Sequence, residues 1–156
     1  MPEYTVVTKK VEAMQIAALR DVVENYREVG PLFQELFAEI GKTPLAPTGP
    51  SFAMYYDEGY KEIDVDVEVA VPVHDGKAKL TGRVKARKLE GEQVASLTRV
   101  GPYDDFTPAY QALMDWIKAN GYRINGPNRE IYLIGPEANI PPEQYVTELQ
   151  FPITKS

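Results

Sequence analysis

The chain has no cysteine. Disulfides, thiolate metal sites and thiol nucleophiles are therefore excluded together, and a reducing compartment is compatible with the sequence. Histidine is nearly as scarce. His74 is the single one, so no His-based metal constellation can form, and its place in "HDGKA" after a strand, where Asp-Gly marks a turn, makes it a surface residue. A basic excess is missing as well, because 17 Lys and Arg face 23 Asp and Glu for a formal charge of -6. That balance opposes phosphate backbones and anionic lipid, so neither direct nucleic-acid binding nor membrane binding is expected. No stretch approaches the roughly 18 apolar residues of a membrane span, and "MPEYTVVTKKVEAMQ" lacks the pattern of a leader. A cytoplasmic protein is expected.

What is present suits one domain of ordinary core size, with 44% hydrophobic and 26% charged residues over 156 positions. The chain repeats itself. "YREVGPLFQELFAEIGKTPLAPTGPSFAMYYD" from Tyr26 aligns without a gap on "YDDFTPAYQALMDWIKANGYRINGPNREIYLI" from Tyr103. Tyr26 meets Tyr103, Pro31 meets Pro108, Leu36 meets Leu113, and Tyr55 meets Tyr132. "QIAAL" from Gln15 also matches "QVASL" from Gln93, and "EVAVPV" from Glu68 matches "ELQFPI" from Glu148. The repeat halves run over about 1–80 and 81–156.

Each half reads as β-α-β-β. "QIAALRDVV" and "QVASLTRV" are strands rich in β-branched residues. Phe33, Leu36, Phe37 and Ile40, and likewise Tyr110, Leu113, Met114 and Ile117, fall at helical spacing and predict one apolar stripe per helix. Pro31 and Pro108 suit the first turns, while Gly41 and Gly121 can close the helices in the left-handed conformation. "SFAMYYD" and "NREIYLI", then "EIDVDVEVAVPV" and "QYVTELQFPI", complete the units, and "EYTVVTKKV" and "KLTGRVKARKL" supply a further leading strand to each. The fold class is α+β, tandem β-α-β-β units forming an antiparallel sheet with two main helices on one face and a ligand trough on the other.

Strand alternation separates Glu130 and Tyr132 from Ile131 and Leu133. Placing Ile131 and Leu133 under the helices sends Glu130 and Tyr132, with Ala53 and Tyr55, to the trough. Glu130 is the informative residue, since its twin in the other half is Ala53 and the scaffold needs no carboxylate there. A competing assignment makes it a rim residue paired with Arg129 or Arg123, an exposed ion pair worth about 0–1 kcal/mol. Glu68 and Glu148 recur in both halves and read as scaffold or as solvated side chains. The run "DEGYKEIDVDVE", with Asp64, Asp66 and Glu68 alternating with valines, has the pattern of a solvated strand face rather than a calcium loop.

The segments "VASLTRVGPYDDFTPAYQALMDWIKANGYRINGP", "REIYLIGP" and "YVTELQFPI" resemble the GyrI-like small-molecule-binding superfamily, met also as the effector-binding domain of AraC-type and MerR-type regulators. The resemblance covers essentially the whole chain. It implies two related half-sheets, an aromatic cavity around one glutamate that pairs with lipophilic cations, and, by position in the "EIYL" motif, Glu130 as that glutamate. Tyr55 and Tyr132 are symmetry mates able to flank a flat ligand, with Tyr103, Tyr110 and Trp116 as further candidates. Tyr110 lies on the helical stripe and also fits a plain core role, and Trp116 lies one position off it. No cofactor is called for.

Three functions follow. The first is a stand-alone module, without a preceding helix-turn-helix, that senses or sequesters hydrophobic, often cationic, small molecules. The second, implied by some stand-alone relatives, is a hydrolase of electrophilic cyclopropane-type compounds with Glu130 as general base and Tyr132, Tyr55 or Tyr103 orienting water or substrate. The third is a protein-interaction module, since one branch of the family inhibits DNA gyrase by binding it. Gyrase or a regulator is then the partner, met by the acidic face from Asp57 to Glu68.

Overall fold

Two features of the chain decide where each strand can go: the alternation of its β-branched segments and the internal repeat. The structure, a computed structural model, describes residues 4–57, 62–75 and 79–156. Residues 58–61 of the acidic run, and 76–78 of the turn expected after His74, lie outside them. The described residues form nine strands and two α-helices: β1 (Val6–Val11), β2 (Met14–Val23), α1 (Val29–Ile40), β3 (Phe52–Tyr55), β4 (Val65–Pro72), β5 (Lys85–Leu89), β6 (Glu92–Val100), α2 (Thr107–Ala119), β7 (Tyr122–Ile124), β8 (Asn128–Ile134) and β9 (Val146–Lys155). The class is α+β, and every strand pairing within each unit is antiparallel.

The chain divides into two compact units, one of residues 12–91 and the other of residues up to 11 with 92–156. In the first, the strand order is β3-β4-β2-β5. Its core rests on the fully buried Ile16, Leu19, Leu36, Val67 and Val69. The second has the order β1-β6-β9-β8, with β7 also on β9. There Ala95, Leu97, Leu149 and Ile153 of the sheet pack against Ala109, Leu113 and Ile117 of α2.

The leading strands pair across the repeat. β1 runs along β6, and β5 runs along β2. Each brings a base to the glutamate that the repeats share: Arg87 of β5 reaches Glu68 at 2.6 Å, and Lys9 of β1 reaches Glu148 at 2.5 Å. Glu68 also accepts from the Tyr56 hydroxyl at 2.5 Å, and Glu148 from Ser96 and Gln150. Both glutamates are buried. The solvated face expected for the acidic run is thus corrected at Glu68, which is buried with the Tyr56 hydroxyl and the Arg87 guanidinium bonded to it, while Asp66 pairs with Arg20.

The helical stripes are rotated from the expected ones in the same sense. Leu32, Leu36 and Ile40 of α1 are buried with Val29, and Ala109, Leu113 and Ile117 of α2 take the same places. Phe37 and Met114 are exposed instead. The buried line steps by four residues, so it follows the i±4 ridge that seats a helix on its sheet. Gly121 closes α2 with φ +80°, as its position predicted, whereas Gly41 stays right-handed at φ -62°.

Strand β7 was not foreseen. Its three residues are too few to show a period, and it forms by pairing Ile124 with Ile153 of β9. At the matching place in the first unit, Pro47 makes an isolated bridge with Val73. Pro44 and Pro47 lack the N–H groups that would extend that bridge into a ladder.

Candidate functional site

The register of the second unit fixes the surroundings of Glu130. Glu130 lies opposite Leu149, and Leu149 lies opposite Leu97. One step along, Tyr132 lies opposite Thr147, and Thr147 opposite Arg99. Directly opposed residues share a face. Since Leu97 and Leu149 pack against α2, Glu130 and Tyr132 belong to the helix-bearing face, and Ile131, opposite Glu148, belongs to the other. This reverses the face expected from the sequence. Alternation says which residues share a side, while pairing says which side it is. Leu133 occupies an irregularity in the β8 ladder between Tyr132 and Ile134, and it is exposed rather than packed under a helix.

The hydrogen bonds agree with this placement. Tyr110, from α2, donates its hydroxyl to Glu130 Oε2 at 2.6 Å, and Tyr132 donates to Oε1 at 3.0 Å. Asn128 in turn donates its amide to the Tyr110 hydroxyl at 2.9 Å. Both carboxylate oxygens therefore hold neutral donors. Among the described residues no Lys or Arg forms an ion pair with Glu130, and Arg129, which alternates with it, pairs with Glu92 at 2.6 Å. The Glu130 carboxyl is pushed above its usual range by loss of solvent, partly offset by the two tyrosine hydrogen bonds and the more distant Arg99 charge. Its side chain retains some exposed surface, but the groups closing around the carboxyl dominate its acidity.

An aromatic wall adjoins it. The Tyr103 ring lies 5.5 Å from that of Tyr132 at 65°, and 5.0 Å from that of Tyr145. Tyr110 meets Phe151 edge to face at 5.8 Å. Burial, aided by the charges of Glu137 and Glu130 and by Tyr145, pushes the Tyr103 hydroxyl up to about 12, so it stays protonated at neutral pH. That hydroxyl is seated against Gly135, where a Cβ would come within 2.5 Å of it. The loop bearing Tyr103 is held by Arg99, whose guanidinium donates to the Pro102 carbonyl at 2.6 Å, pairs with Asp104 at 2.5 Å and stacks on Phe106.

Of the expected site residues, Glu130, Tyr132, Tyr110 and Tyr103 are thus brought together. Trp116 is not part of this group, for it stacks on Tyr122 of β7 at 6.0 Å and 12° and packs at the margin of the α2 core. Tyr55 belongs to the first unit and lies 5.6 Å from Tyr26, a pair aligned on Tyr132 and Tyr103. Asn128, Tyr145 and Arg99 were missed. Asn128 stands two residues before Glu130, so strand alternation was the signal available for it. Among the described residues no group of three or more His, Cys, Asp or Glu side chains is arranged to hold a metal ion.

Solved structures of the same fold place the chain. The C-terminal domain of EcmrR is 28% identical, with a TM-score of 0.92, covering 98% of this chain and 99% of that one. In the EcmrR-DNA complex the same likeness spans 58% of the EcmrR chain. A hydrolase encoded by lin2189 from Listeria innocua is 16% identical with a TM-score of 0.71, covering 98% of this chain and 93% of that one. SAV2435, solved bound to tetraphenylphosphonium, is 16% identical with a TM-score of 0.57, covering 98% of this chain and 94% of that one. These last two establish shared architecture only. No curated protein matches the sequence. A family model, that of the GyrI-like small molecule binding domain, matches residues 4–154, and this chain belongs to that family.

Proposed function

We propose that this protein binds a hydrophobic, cationic aromatic small molecule, with Glu130 as its counter-ion and Tyr103, Tyr132 and Tyr110 as the ring surfaces around it. The observation that carries this reading is the Glu130 carboxyl itself. It is desolvated, raised in pKa, held by neutral donors and, among the described residues, given no cationic side chain in an ion pair. A delocalised cation supplies the missing charge, and each tyrosine face adds cation-π attraction of about 0.5–2 kcal/mol. The repeat supports it too, since the aligned residues of the first unit are Ala53 for Glu130 and Phe33 for Tyr110. Both polar groups are departures from what folding that unit requires.

The test is a binding titration with tetraphenylphosphonium and with neutral triphenylphosphine oxide, on wild type and Glu130→Gln. The cation is expected to bind wild type and to lose about tenfold or more in the variant, with the neutral compound unchanged. Equal losses for both compounds would refute the counter-ion role. A hydrolytic reading draws on the same raised carboxyl, which is suited to a general base. Turnover of an electrophilic cyclopropane ester, abolished in Glu130→Gln, would favour it. The EcmrR likeness supports effector binding in a regulator as the biological setting, and direct contact of this domain with nucleic acid or with gyrase forms no part of the reading.

A further inference from the structure

Thr147 is fully buried, and its hydroxyl has no hydrogen-bond partner among the described residues. Buried hydroxyls are ordinarily satisfied, and leaving one bare costs about 1–3 kcal/mol. Its place in the fold gives the reason for interest. On β9 it stands between Tyr132 of β8 and Arg99 of β6, on the face that carries Glu130, and diagonal to Glu130 through the Leu149 pairing. The first unit again serves as a control. Val67 lies opposite Tyr55 there as Thr147 lies opposite Tyr132, and valine is threonine with the hydroxyl replaced by a methyl group. Valine at that position is fully buried as well, so the packing needs only the shape.

We propose that Thr147, reached when the entering ligand parts the side chains that cover it, contacts the ligand and determines specificity, so that the ligand carries a hydrogen-bonding group roughly 7 Å from the charge it offers to Glu130, the spacing of diagonal neighbours on a sheet. This rests on the binding role of the Glu130 site and narrows its substrate class from lipophilic cations to cations bearing a hydroxyl, carbonyl or similar group. The threonine hydroxyl offers one donor and two acceptor positions, so it can serve either kind. A ligand lacking such a group leaves the hydroxyl bare in the complex and gains nothing from it. Purely aromatic cations are therefore bound, but without the discrimination that the second repeat has built in.

The experiment compares tetraphenylphosphonium with (4-hydroxyphenyl)triphenylphosphonium, whose hydroxyl sits one ring's length from the charge, on wild type, Thr147→Val, Thr147→Ser and Glu130→Gln. Wild type is expected to prefer the hydroxyl compound. Thr147→Val loses about fivefold for it, the worth of about one hydrogen bond, while tetraphenylphosphonium stays within about twofold. Thr147→Ser restores the preference. The melting temperature of unliganded Thr147→Val is expected to match or exceed that of wild type, whereas a merely structural hydroxyl would lower it. A lowered melting temperature, or equal affinity changes for the two cations, would overturn the role of Thr147. Loss of both cations in Glu130→Gln with no effect of Thr147→Val removes this inference alone. Failure of wild type to bind either cation removes it together with the counter-ion reading.

Discussion

A carboxylate under a helix is an expense that most positions do not carry. Glu130 does so with two tyrosine donors, and its raised pKa gives the protein a defined pH response. A carboxyl with a folded pKa above its unfolded value of about 4.5 contributes stability that is fully present below that value and is lost as pH rises through the folded pKa. Thermal melts of Glu130→Gln against wild type are therefore expected to show a gain in the variant that grows as pH is raised above 4.5. A gain independent of pH would mean that the carboxyl titrates as it does in the unfolded chain. Tyr110→Phe removes a bond that lowers this pKa, so the carboxyl resonance of Glu130 should titrate higher still by NMR. Gly135→Ala tests the wall: with a Cβ 2.5 Å from the Tyr103 hydroxyl, the ring must leave its seat, and tetraphenylphosphonium affinity is expected to fall about threefold or more. That Glu130 departs from its Ala53 twin was legible in the sequence. The side of the sheet it occupies was not, because parity leaves two choices and only the pairing with Leu149 selects one.

Elements tell a similar story of period against packing. The helices were readable from their apolar spacing, their prolines and, for α2, the closing Gly121. Apolar spacing alone sets the stripe one position off in each, for it puts Phe37 and Met114 in the core where Leu32 and Ala109 are buried. Large apolar side chains score strongly in any periodic reading, but the sheet accepts the line that steps by four. A mutational contrast follows. Leu113→Ala is expected to cost about 2–5 kcal/mol in chemical denaturation, and Met114→Ala under about 1 kcal/mol, since Met114 is exposed. Comparable costs would show that α2 is seated on the other line. Strand β7 escaped notice because three residues show no period, and its reduced counterpart at Pro47 in the first unit offered no aligned strand to point to it.

At the scale of the whole molecule, the repeat in sequence and the units in space share their hairpins but exchange their leading strands. Neighbouring segments usually pair locally, yet β1 lies on β6 and β5 on β2. The observed pairings place Lys9 and Arg87 at the buried Glu148 and Glu68 instead. Desolvation would raise the Glu148 carboxyl, but Gln150, Lys9 and Ser96 outweigh it and hold the pKa below its usual value. Its contribution is therefore present above the ordinary carboxylate range and lost as pH falls through the lowered pKa. Lys9→Ala should cost about 1–2 kcal/mol at neutral pH, less than a fully buried pair because Lys9 itself is half exposed. The molecule thus carries a recurring pair of glutamates that serves its sheets, Glu68 and Glu148, and at Glu130 a glutamate whose twin in the first half is alanine. The most direct test of that distinction is the proton count on binding tetraphenylphosphonium, measured by calorimetry in buffers of different ionisation enthalpy just above pH 4.5. Release of protons by wild type and none by Glu130→Gln is the expected result, because a bound cation lowers the raised pKa of its counter-ion; no release, or equal release from both proteins, would contradict it.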